Sequence, residues 1–205
     1  MRIDMNDHYY SSKPQSASNR QAFTATLRGF HLRLTSDAGV FSRDGVDYGS
    51  RVLIDLMEIK PDDQVLDVGC GYGPMGLTAA RLAPQGHVTM IDINERAVEL
   101  AELNAKENGI VNVTFQPSDL FDAVKGRTFD VILSNPPIRA GKAVVHMLLA
   151  DAARHLNSGG SLWIVIQNKQ GAPSARAKLE EVFGEENVVE IGKDKGFRVY
   201  RSTKV

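Results

Sequence analysis

Four hydrogen-bond acceptors each follow an apolar run that is rich in β-branched residues. Asp67 stands in "QVLDVG", Asp92 in "VTMIDI" and Asp119 in "FQPSDL", while Asn135 follows "DVILS". An acid at the end of a buried strand costs desolvation free energy unless a partner compensates it. Acceptors in this pattern therefore suit a ligand that carries several donors, such as an ammonium, ribose hydroxyls or an exocyclic amine.

A glycine-rich segment, "DVGCGYGPMG", connects Asp67 to the next helical pattern. Gly71, Gly73 and Gly76 satisfy the dinucleotide fingerprint, in which glycines allow the backbone to approach a ligand at a helix N-terminus. Asp67 followed by Gly69, Gly71 and Gly73 forms a second pattern, which favours a cofactor with an ammonium group beside the loop. S-adenosylmethionine carries that group there and nicotinamide dinucleotides do not. The alternative is a structural acid that caps the N–H groups of its own loop.

The other two acids have the positions of cofactor-binding residues. Asp92 lies nineteen residues after Gly73, where a ribose-binding carboxylate falls in folds of this kind. Asp119 is expected to accept from an adenine amine, with Ile93 and Leu120 covering the base. The structural alternatives are that Asp92 caps the next helix and that Asp119 is a turn or cap residue.

The segment "SNPPIRAGK" joins Asn135 to two prolines, Pro136 and Pro137. Proline fixes its own φ and donates no hydrogen bond, so the chain leaves the strand stiff and presents carbonyl groups. The Asn135 side-chain oxygen and one such carbonyl can hold both N–H groups of an exocyclic amine, so that its lone pair is directed at a methyl donor. Both acceptors stabilise the positive charge that develops on nitrogen. The alternative is simple strand punctuation.

Short β-rich runs alternate with helical patterns from residue 64 onward, which predicts βαβ units and a parallel sheet. The expected strands span 64–68, 87–93, 112–119, 128–134 and 161–167, and "NVVEIG" and "FRVYRST" form an antiparallel C-terminal hairpin around "KDKG". The expected helices span 74–82, 94–109, 142–156 and 173–184, the third closed by "NSGG". Right-handed crossovers make this a doubly wound α/β fold with a mostly parallel, seven-stranded sheet. The strand ends then line one crevice, where the three acids and Asn135 meet.

The N-terminal part has a different pattern. Partial alternation in "FTATLRGFHLRLT", around Arg28 and Gly29, predicts a small β-hairpin laid against the main sheet. Asp47 can cap a helix that begins in "YGSRVLIDLMEI". We therefore divide the chain into an N-terminal extension, residues 1–45, and a cofactor-binding domain, residues 46–205.

Together these features resemble class I S-adenosylmethionine methyltransferases with an Asn-Pro-Pro amine site. The closer resemblance is to the small-methyltransferase-domain family, in its branch of 16S ribosomal RNA guanine-N2 methyltransferases. Four segments carry it: "GVFSRDGVDYGSRVLI" (39–54), "DVGCGYGPMG" (67–76), "SDLF" (118–121) and "SNPPIRAGK" (134–142). The resemblance implies a Rossmann-like methyltransferase fold, S-adenosylmethionine as cofactor, and ribosomal RNA or the assembling small subunit as partner. It also makes Phe41 and Asp47 cofactor-site candidates, because the segment at 39–50 lies over the cofactor in that family.

Two features depart from the best-known members of that branch. Those members carry an additional, degenerate methyltransferase-like domain before the catalytic one, and we expect this chain to lack it. They usually also have an aromatic residue after Asn-Pro-Pro, where this chain has Ile138, although a single-domain subgroup shares the Ile-Arg-Ala-Gly-Lys continuation. Beside Ile138, the candidate substrate-binding residues are Arg139, Lys142 and Lys169, which can hold phosphates or be merely solvated.

Composition argues against several other classes. No apolar run approaches the ~20 residues of a membrane span, and "MRIDMNDHYYSS" has no signal-peptide core. The single cysteine, Cys70, excludes an internal disulfide and a multi-cysteine zinc site, so we expect a cytoplasmic protein without a metal. The net charge is −1, which argues against general nucleic-acid binding, and no DNA partner is expected.

Charge is nevertheless uneven along the chain. Residues 51–137 carry seven Lys and Arg against thirteen Asp and Glu, whereas residues 138–205 carry eleven against seven. A cofactor-binding part beside a part that faces a polyanion would have this asymmetry, and chance would produce it as well. Three alternatives to guanine N2 also stay open: another planar amine (adenine N6 or a glutamine side-chain amide), an inactive cofactor-binding ribosome assembly factor, and a nicotinamide oxidoreductase.

Overall fold

A mixed sheet of seven strands forms the centre of the protein, which a computed structural model describes over residues 12–205. Its strands are β3 (Gln64–Val68), β4 (His87–Asp92), β5 (Val113–Pro117), β6 (Phe129–Ser134), β7 (Leu156–Gln167), β8 (Val188–Asp194) and β9 (Phe197–Thr203). They are arranged in the order β5-β4-β3-β6-β7-β9-β8. The first five are parallel, and β9 pairs antiparallel with both β7 and β8. The doubly wound fold and its antiparallel C-terminal hairpin are confirmed.

Helices cover both faces of this sheet because the strands are apolar nearly throughout, so that apolar side chains project from each face. The helices are α1 (Tyr48–Leu56), α2 (Pro74–Leu82), α3 (Glu95–Glu107), α4 (Lys142–Ala152) and α5 (Ala172–Phe183). On β3, Val65 belongs to the core cluster under α1, α2 and α3, whereas its neighbour Leu66 belongs to the cluster under α4 and α5. The sheet therefore separates two apolar layers, as expected for strands buried on both faces.

The predicted N-terminal hairpin is present as β1 (Gln21–Leu27) and β2 (Phe30–Ser36), paired antiparallel. It contacts helices α1, α2 and α3 instead of lying directly on the main sheet as expected. Asn104 of α3 exchanges two hydrogen bonds with the backbone of Thr35, and the Arg28 guanidinium donates to Ile54 O and Met57 O at the end of α1. These hydrogen bonds, together with those between Asn108 and the backbone of Arg33, fix the hairpin to α1 and α3. Residues 1–11, part of the proposed extension, lie outside the described residues.

Two predicted boundaries were wrong. Helix α3 begins after its predicted cap, Asn94, but it ends at Glu107 with Asn108 as its C-cap, so the left-handed Gly109 follows the cap that it was predicted to form. The segment "NSGG" does not close α4, because β7 already begins at Leu156. Strand β7 can include these glycines because the backbone N–H of Gly159 donates to Lys204 O, which extends the ladder beyond β9. In residues 12–205, none of the helices has both the length and the apolar character needed to cross a lipid bilayer.

Candidate active site

The parallel register places the predicted site residues at one edge of the sheet. Val68, at the end of β3, pairs with Ile91 on one side and with Ser134 on the other. Asp92 pairs in turn with Pro117 at the end of β5. The segments that follow β3, β4, β5 and β6 therefore begin side by side, as expected at the carboxyl edge of an open α/β sheet.

A cavity open to solvent, with about 660 Å³ of empty space including its mouth, lies at this edge. Predicted site residues form much of its lining: Phe41, Gly69, Gly71, Asp92, Ile93, Leu120, Asn135, Pro136 and Pro137. An adjoining cavity of about 360 Å³ shares Phe41, Gly69, Gly71 and Asn135 with it. The second cavity adds Asp47, so the predicted residues surround one continuous concave region around Asn135.

The glycine loop leaves space for a ligand beside its backbone. Gly69 and Gly71 adopt φ values of +74° and +57°, which disfavour other residues, and no heavy atom lies within 4 Å of where a Cβ would stand. Gly73, with φ of +100°, forms the N-cap of α2. The N–H groups of Gly69 and Cys70 donate to Ile91 O at 2.9 and 3.0 Å, which ties the loop to the end of β4.

Asp92 holds this loop from the neighbouring strand. Its two carboxylate oxygens accept from the backbone N–H groups of Gly71, at 2.8 Å, and Asn94, at 2.9 Å. Burial nevertheless raises the pKa of Asp92 to about 6, because the two donors compensate only part of the desolvation. Asp92 lines the larger cavity, where a ribose-binding carboxylate was predicted, while the helix cap is provided by Asn94.

Asp67 is completely buried and has one unsatisfied oxygen. Oδ2 accepts from the N–H of Gly76 at 2.8 Å, whereas Oδ1 has no hydrogen-bond partner within residues 12–205. Burial raises the pKa of Asp67 to about 7, and the negative charge of Asp92 adds to the effect. Both interpretations of Asp67 thus have a structural counterpart: Oδ2 caps the loop and helix, and Oδ1 suits a cationic donor. The side chain of Asp67 is not part of the lining of either cavity.

The segment after β5 contributes Ser118 and Leu120 to the lining of the larger cavity, whereas Asp119 between them is exposed. Leu120 takes a left-handed φ of +46°, and Ser118 Oγ donates to its carbonyl oxygen at 2.8 Å. Asp119 is exposed and does not belong to the cavity lining. Its predicted contact with an adenine amine would therefore be made from the rim.

The amide of Asn135 has one possible orientation. Nδ2 donates to Asp47 Oδ2 at 3.0 Å and to Ser50 Oγ at 3.2 Å. A carboxylate can only accept hydrogen bonds, so the NH₂ group must face Asp47. Oδ1 consequently faces away from Asp47, and it receives no hydrogen bond from the described part of the chain.

Asp47 and Ser50 come from the first turn of α1. Asp47 is the N-cap of this helix, as predicted, and its Oδ2 also accepts from the N–H of Ser50 at 3.0 Å. Sequence reasoning missed Ser50 and the contact of both residues with Asn135. The local spacing of an N-cap Asp and a Ser three residues later was visible, but nothing in it indicates a partner 88 residues away.

The two prolines are buried and end β6 in a tight turn. The N–H of Ile138 donates to Pro136 O at 2.9 Å, and the N–H of Ala140 donates to Pro137 O at 3.0 Å. A carbonyl oxygen has two lone pairs, so each can accept one further hydrogen bond. Pro136 and Pro137 line the larger cavity next to Asn135, which places stiff carbonyl groups beside its amide.

The predicted substrate-binding residues lie beyond these prolines. Arg139, Lys142 and Lys169 are exposed, and Ile138 is half-buried. Ile138 and Lys142 line a separate cavity of about 380 Å³ between α4 and α5. All four residues thus lie at the same edge of the sheet as the cavities, but none of them lines the cavity that Asp92 lines.

A family model described as the methyltransferase small domain matches residues 31–201. The chain belongs to this family. It is 53% identical over 204 residues to YbxB of Bacillus subtilis, an uncharacterised protein, covering 98% of this chain and all of that one. It is 40% identical over 169 residues to ribosomal RNA small subunit methyltransferase C of Escherichia coli, covering 80% of this chain and 47% of that one. The chain thus spans about half the length of this second relative.

Solved structures of methyltransferases have the same fold. The 16S rRNA N2 G1207 methyltransferase RsmC of T. thermophilus, in complex with AdoMet and guanosine, superimposes with a TM-score of 0.81 and 26% identity, over 94% of this chain and 52% of that one. The ribosomal protein L11 methylase of Lactobacillus delbrueckii has a TM-score of 0.59 and 25% identity, over 77% of this chain and 78% of that one.

The cofactor of this small-domain methyltransferase is S-adenosylmethionine. The described residues fit that molecule. The open backbone at Gly69 and Gly71 permits close approach, Asp92 presents a carboxylate to the larger cavity, and Ile93 and Leu120 provide apolar walls. The unsatisfied Oδ1 of Asp67 is a further acceptor for an ammonium group, although the Asp67 side chain lies behind the cavity lining.

Proposed function

We propose that the protein transfers a methyl group from S-adenosylmethionine to the exocyclic N2 of a guanine in 16S ribosomal RNA, in the cytoplasm. The observation that carries the proposal is the orientation of Asn135, whose Oδ1 is directed away from Asp47 at the edge of the cofactor cavity. Similarity to methyltransferase C of E. coli and to the guanosine complex of RsmC supports the guanine of ribosomal RNA as target.

S-adenosylmethionine supplies an electrophilic methyl group on a sulfonium. In our proposal Gly69, Gly71 and Gly73 approach it through the backbone, and Asp92 accepts from the ribose. Ile93, Leu120 and Phe41 cover the adenine, while Asp119 accepts from its amine at the rim. Asp67 compensates the ammonium group through Oδ1, where a charged donor would remove the desolvation cost of the buried carboxylate.

Asn135 and Pro136 act on the substrate amine. The amine of a nucleobase is a poor nucleophile because its lone pair is delocalised into the ring. Asn135 Oδ1 accepts one N–H and Pro136 O accepts the other through its second lone pair, so the nitrogen lone pair is held towards the cofactor. Both acceptors stabilise the positive charge that develops on nitrogen, and the proton leaves after methyl transfer.

The test is transfer of labelled methyl to unmodified small-subunit RNA, naked and in assembled subunits, followed by nucleoside analysis. We expect label in N2-methylguanosine and a rate lower by about 10²–10³-fold in Asn135→Ala, because one acceptor is lost. Asn157→Ala is the matched control, since the Asn157 amide also donates to a carboxylate, that of Asp130 at 2.8 Å, far from the site.

Three outcomes would contradict the proposal. Label in N6-methyladenosine would support methyl transfer to an exocyclic amine but would show that the base is adenine and not guanine. Label in a ribosomal protein would favour the glutamine amide, to which the similarity with the L11 methylase lends some support. Tight cofactor binding without label on any substrate would favour an inactive assembly factor.

A further inference from the structure

We propose that four lysines at the carboxyl edge of the sheet form a docking surface for the RNA backbone, with the tip of the β8–β9 hairpin as its outer part. The lysines are Lys142, Lys169, Lys193 and Lys195, which we call the lysine rim. The inference rests on the proposed function only in taking RNA as the substrate. The contribution of Lys193 and Lys195 is the new element, because the chain places them more than fifty residues after Asn135.

The register of the C-terminal strands brings the hairpin tip to the active-site edge. β9 runs antiparallel to β7, and Phe197 pairs with Gln167 at the end of β7. The N–H of Asn168 donates to Gly196 O at 2.7 Å, which joins the hairpin turn to the residue before Lys169. The tip therefore lies where the parallel strands end, next to the segment that carries Lys169.

Contacts with α1 hold the tip in place beside the residues that orient Asn135. The hydroxyl of Tyr48 donates to the Asp194 carboxylate, and the Tyr48 ring lies 5.9 Å from the Phe197 ring. The Lys195 ammonium stands 4.7 Å from the centroid of the Tyr48 ring. Tyr48 directly follows Asp47, the partner of Asn135. Lys195 is therefore linked to the site by its contact with Tyr48 and by the contact of Asp47 with Asn135.

None of the four lysines is held in an ion pair with another residue in the range 12–205, although the Asp194 carboxylate lies between Lys193 and Lys195 at the hairpin tip. All four side chains are exposed. Basic residues of α5 behave differently, because Arg176 pairs with Glu180 and Lys178 pairs with Glu181. Unpaired cations beside a concave site attract a polyanion and raise its local concentration.

An RNA backbone fits this arrangement better than an acidic protein surface does. The lysines come from three separate segments at the carboxyl edge of the sheet, after β6, after β7 and at the tip of the β8–β9 hairpin. Phosphates recur at regular intervals along a strand, and flexible lysines contact them without reading sequence. The lysine rim would thus fix the register of the RNA, while Asn135 and Pro136 contact the target base.

The test is RNA binding as a function of salt. A fluorescent 16S RNA fragment is titrated with the wild-type protein and with a Lys193→Gln, Lys195→Asn double variant, and log Kd is plotted against log salt concentration. Asn suits position 195 because Lys195 has a left-handed φ of +44°. We expect the magnitude of the salt slope to fall by about 0.7–0.9 for each lost phosphate contact, and the affinity near physiological salt to fall about tenfold.

The matched control is a Lys60→Gln, Lys106→Gln double variant, which removes two exposed, unpaired lysines away from the carboxyl edge. We expect its salt slope to remain that of the wild type. A rim variant with an unchanged slope would overturn the proposal, and so would an equal loss in both double variants. Thermal melting and S-adenosylmethionine affinity verify that each variant is folded.

Failure of the proposed function would give a different result. If the label appeared in another nucleoside and the rim variant still had a reduced salt slope, the docking surface would be supported and the proposed target atom would be wrong. Intact N2-methylguanosine formation with an unchanged slope would keep the function and remove the docking surface. If the rim variant bound an acidic ribosomal protein more weakly but bound RNA as tightly as the wild type, the partner would be a protein and the proposal would be overturned.

Discussion

Asn135 is held by its nitrogen, and this leaves its oxygen as the group that can meet a substrate amine. The two acceptors that hold it, Asp47 and Ser50, belong to the first turn of α1. We infer that Asp47 positions Asn135 without touching the substrate. Asp47 thus both caps α1 and holds Asn135, because the same Oδ2 accepts from the N–H of Ser50 and from Nδ2 of Asn135.

Replacement of Asp47 by Ser separates these two tasks. Serine caps a helix nearly as well as aspartate, so stability should change little, but its shorter hydroxyl does not reach Asn135. We expect kcat to fall about 10²-fold because the amide loses its orientation, with the affinity for S-adenosylmethionine unchanged. Steady-state kinetics and calorimetric cofactor titration measure both quantities. An intact kcat with weakened cofactor binding would instead assign Asp47 to the cofactor alone.

Binding of S-adenosylmethionine should depend on pH through Asp67. With a pKa of about 7, the ionised fraction of this buried carboxyl rises from about a tenth at pH 6 to about nine tenths at pH 8. Since only the carboxylate pairs with an ammonium, we expect the affinity to increase several-fold over this range. Isothermal titration at several pH values measures it. Asp67→Asn should bind more weakly and without this dependence, and an equally steep dependence in that variant would exclude Asp67 as the cause.

At the scale of elements, α2 packs against β4 with almost no space between them. A Cβ on Gly76, in the first turn of α2, would lie 2.6 Å from Met90 Sδ and 2.9 Å from Asp67 Oδ2. The absence of a side chain at Gly76 therefore allows the helix to approach the sheet and its N–H to reach Asp67. Close helix–strand packing of this kind is the usual task of the last glycine in such a loop.

Gly76→Ala should destabilise the protein by about 1–3 kcal/mol, since a packed core accommodates an extra methyl only by shifting its neighbours. Met90→Ala removes the atoms that the new methyl would meet, at the cost of a cavity. We expect the double variant to be more stable than the sum of the two single changes predicts, a coupling that urea unfolding measures. Additive effects would indicate that the strain falls on Asp67 instead of Met90.

For the molecule as a whole, two acids with raised pKa values meet at the edge that binds the cofactor, Asp67 completely buried and Asp92 half-buried. Asp67 and Asp92 both have pKa values above the ordinary 3.8, about 7 and about 6. The folded state therefore binds more protons than the unfolded state between about pH 4 and pH 7. The stability contribution of these protons is present at low pH and is lost as the pH rises through that window. Apolar burial must outweigh the loss at neutral pH.

We expect the ligand-free protein to melt at a lower temperature at pH 8 than at pH 5.5, as measured by differential scanning calorimetry. Asp67→Asn should reduce this difference, because it removes the one of these two acids whose pKa is raised further. Saturation with S-adenosylmethionine should raise the melting temperature most at pH 8, where it compensates the ionised Asp67. A melting temperature that rises steadily from pH 5.5 to pH 8 without ligand would contradict the assignment.

Local patterns were sufficient for most of the fold. The boundaries of β3 and α2 and the cap of α3 at Asn94 follow from β-branched runs, a proline near the helix start and an N-cap residue. The segment at 157–160 was wrongly predicted as a helix end, because glycines there are paired by a ladder to residues near the C-terminus. Such pairing overrides local preference, and nothing in the tetrapeptide itself indicates it.

Local patterns in the sequence were enough to predict the alternation of strands and helices, and with it the edge at which Asp92 and Asn135 meet. The contact of Asp47 with Asn135, the exposure of Asp119 and the position of Lys195 beside Tyr48 became evident only in the folded molecule. The physical reason is the range of the interactions. Periodicity and capping depend on residues within a few positions, whereas these contacts join segments far apart in the chain. They follow from strand order and register, which the packing of the whole molecule sets.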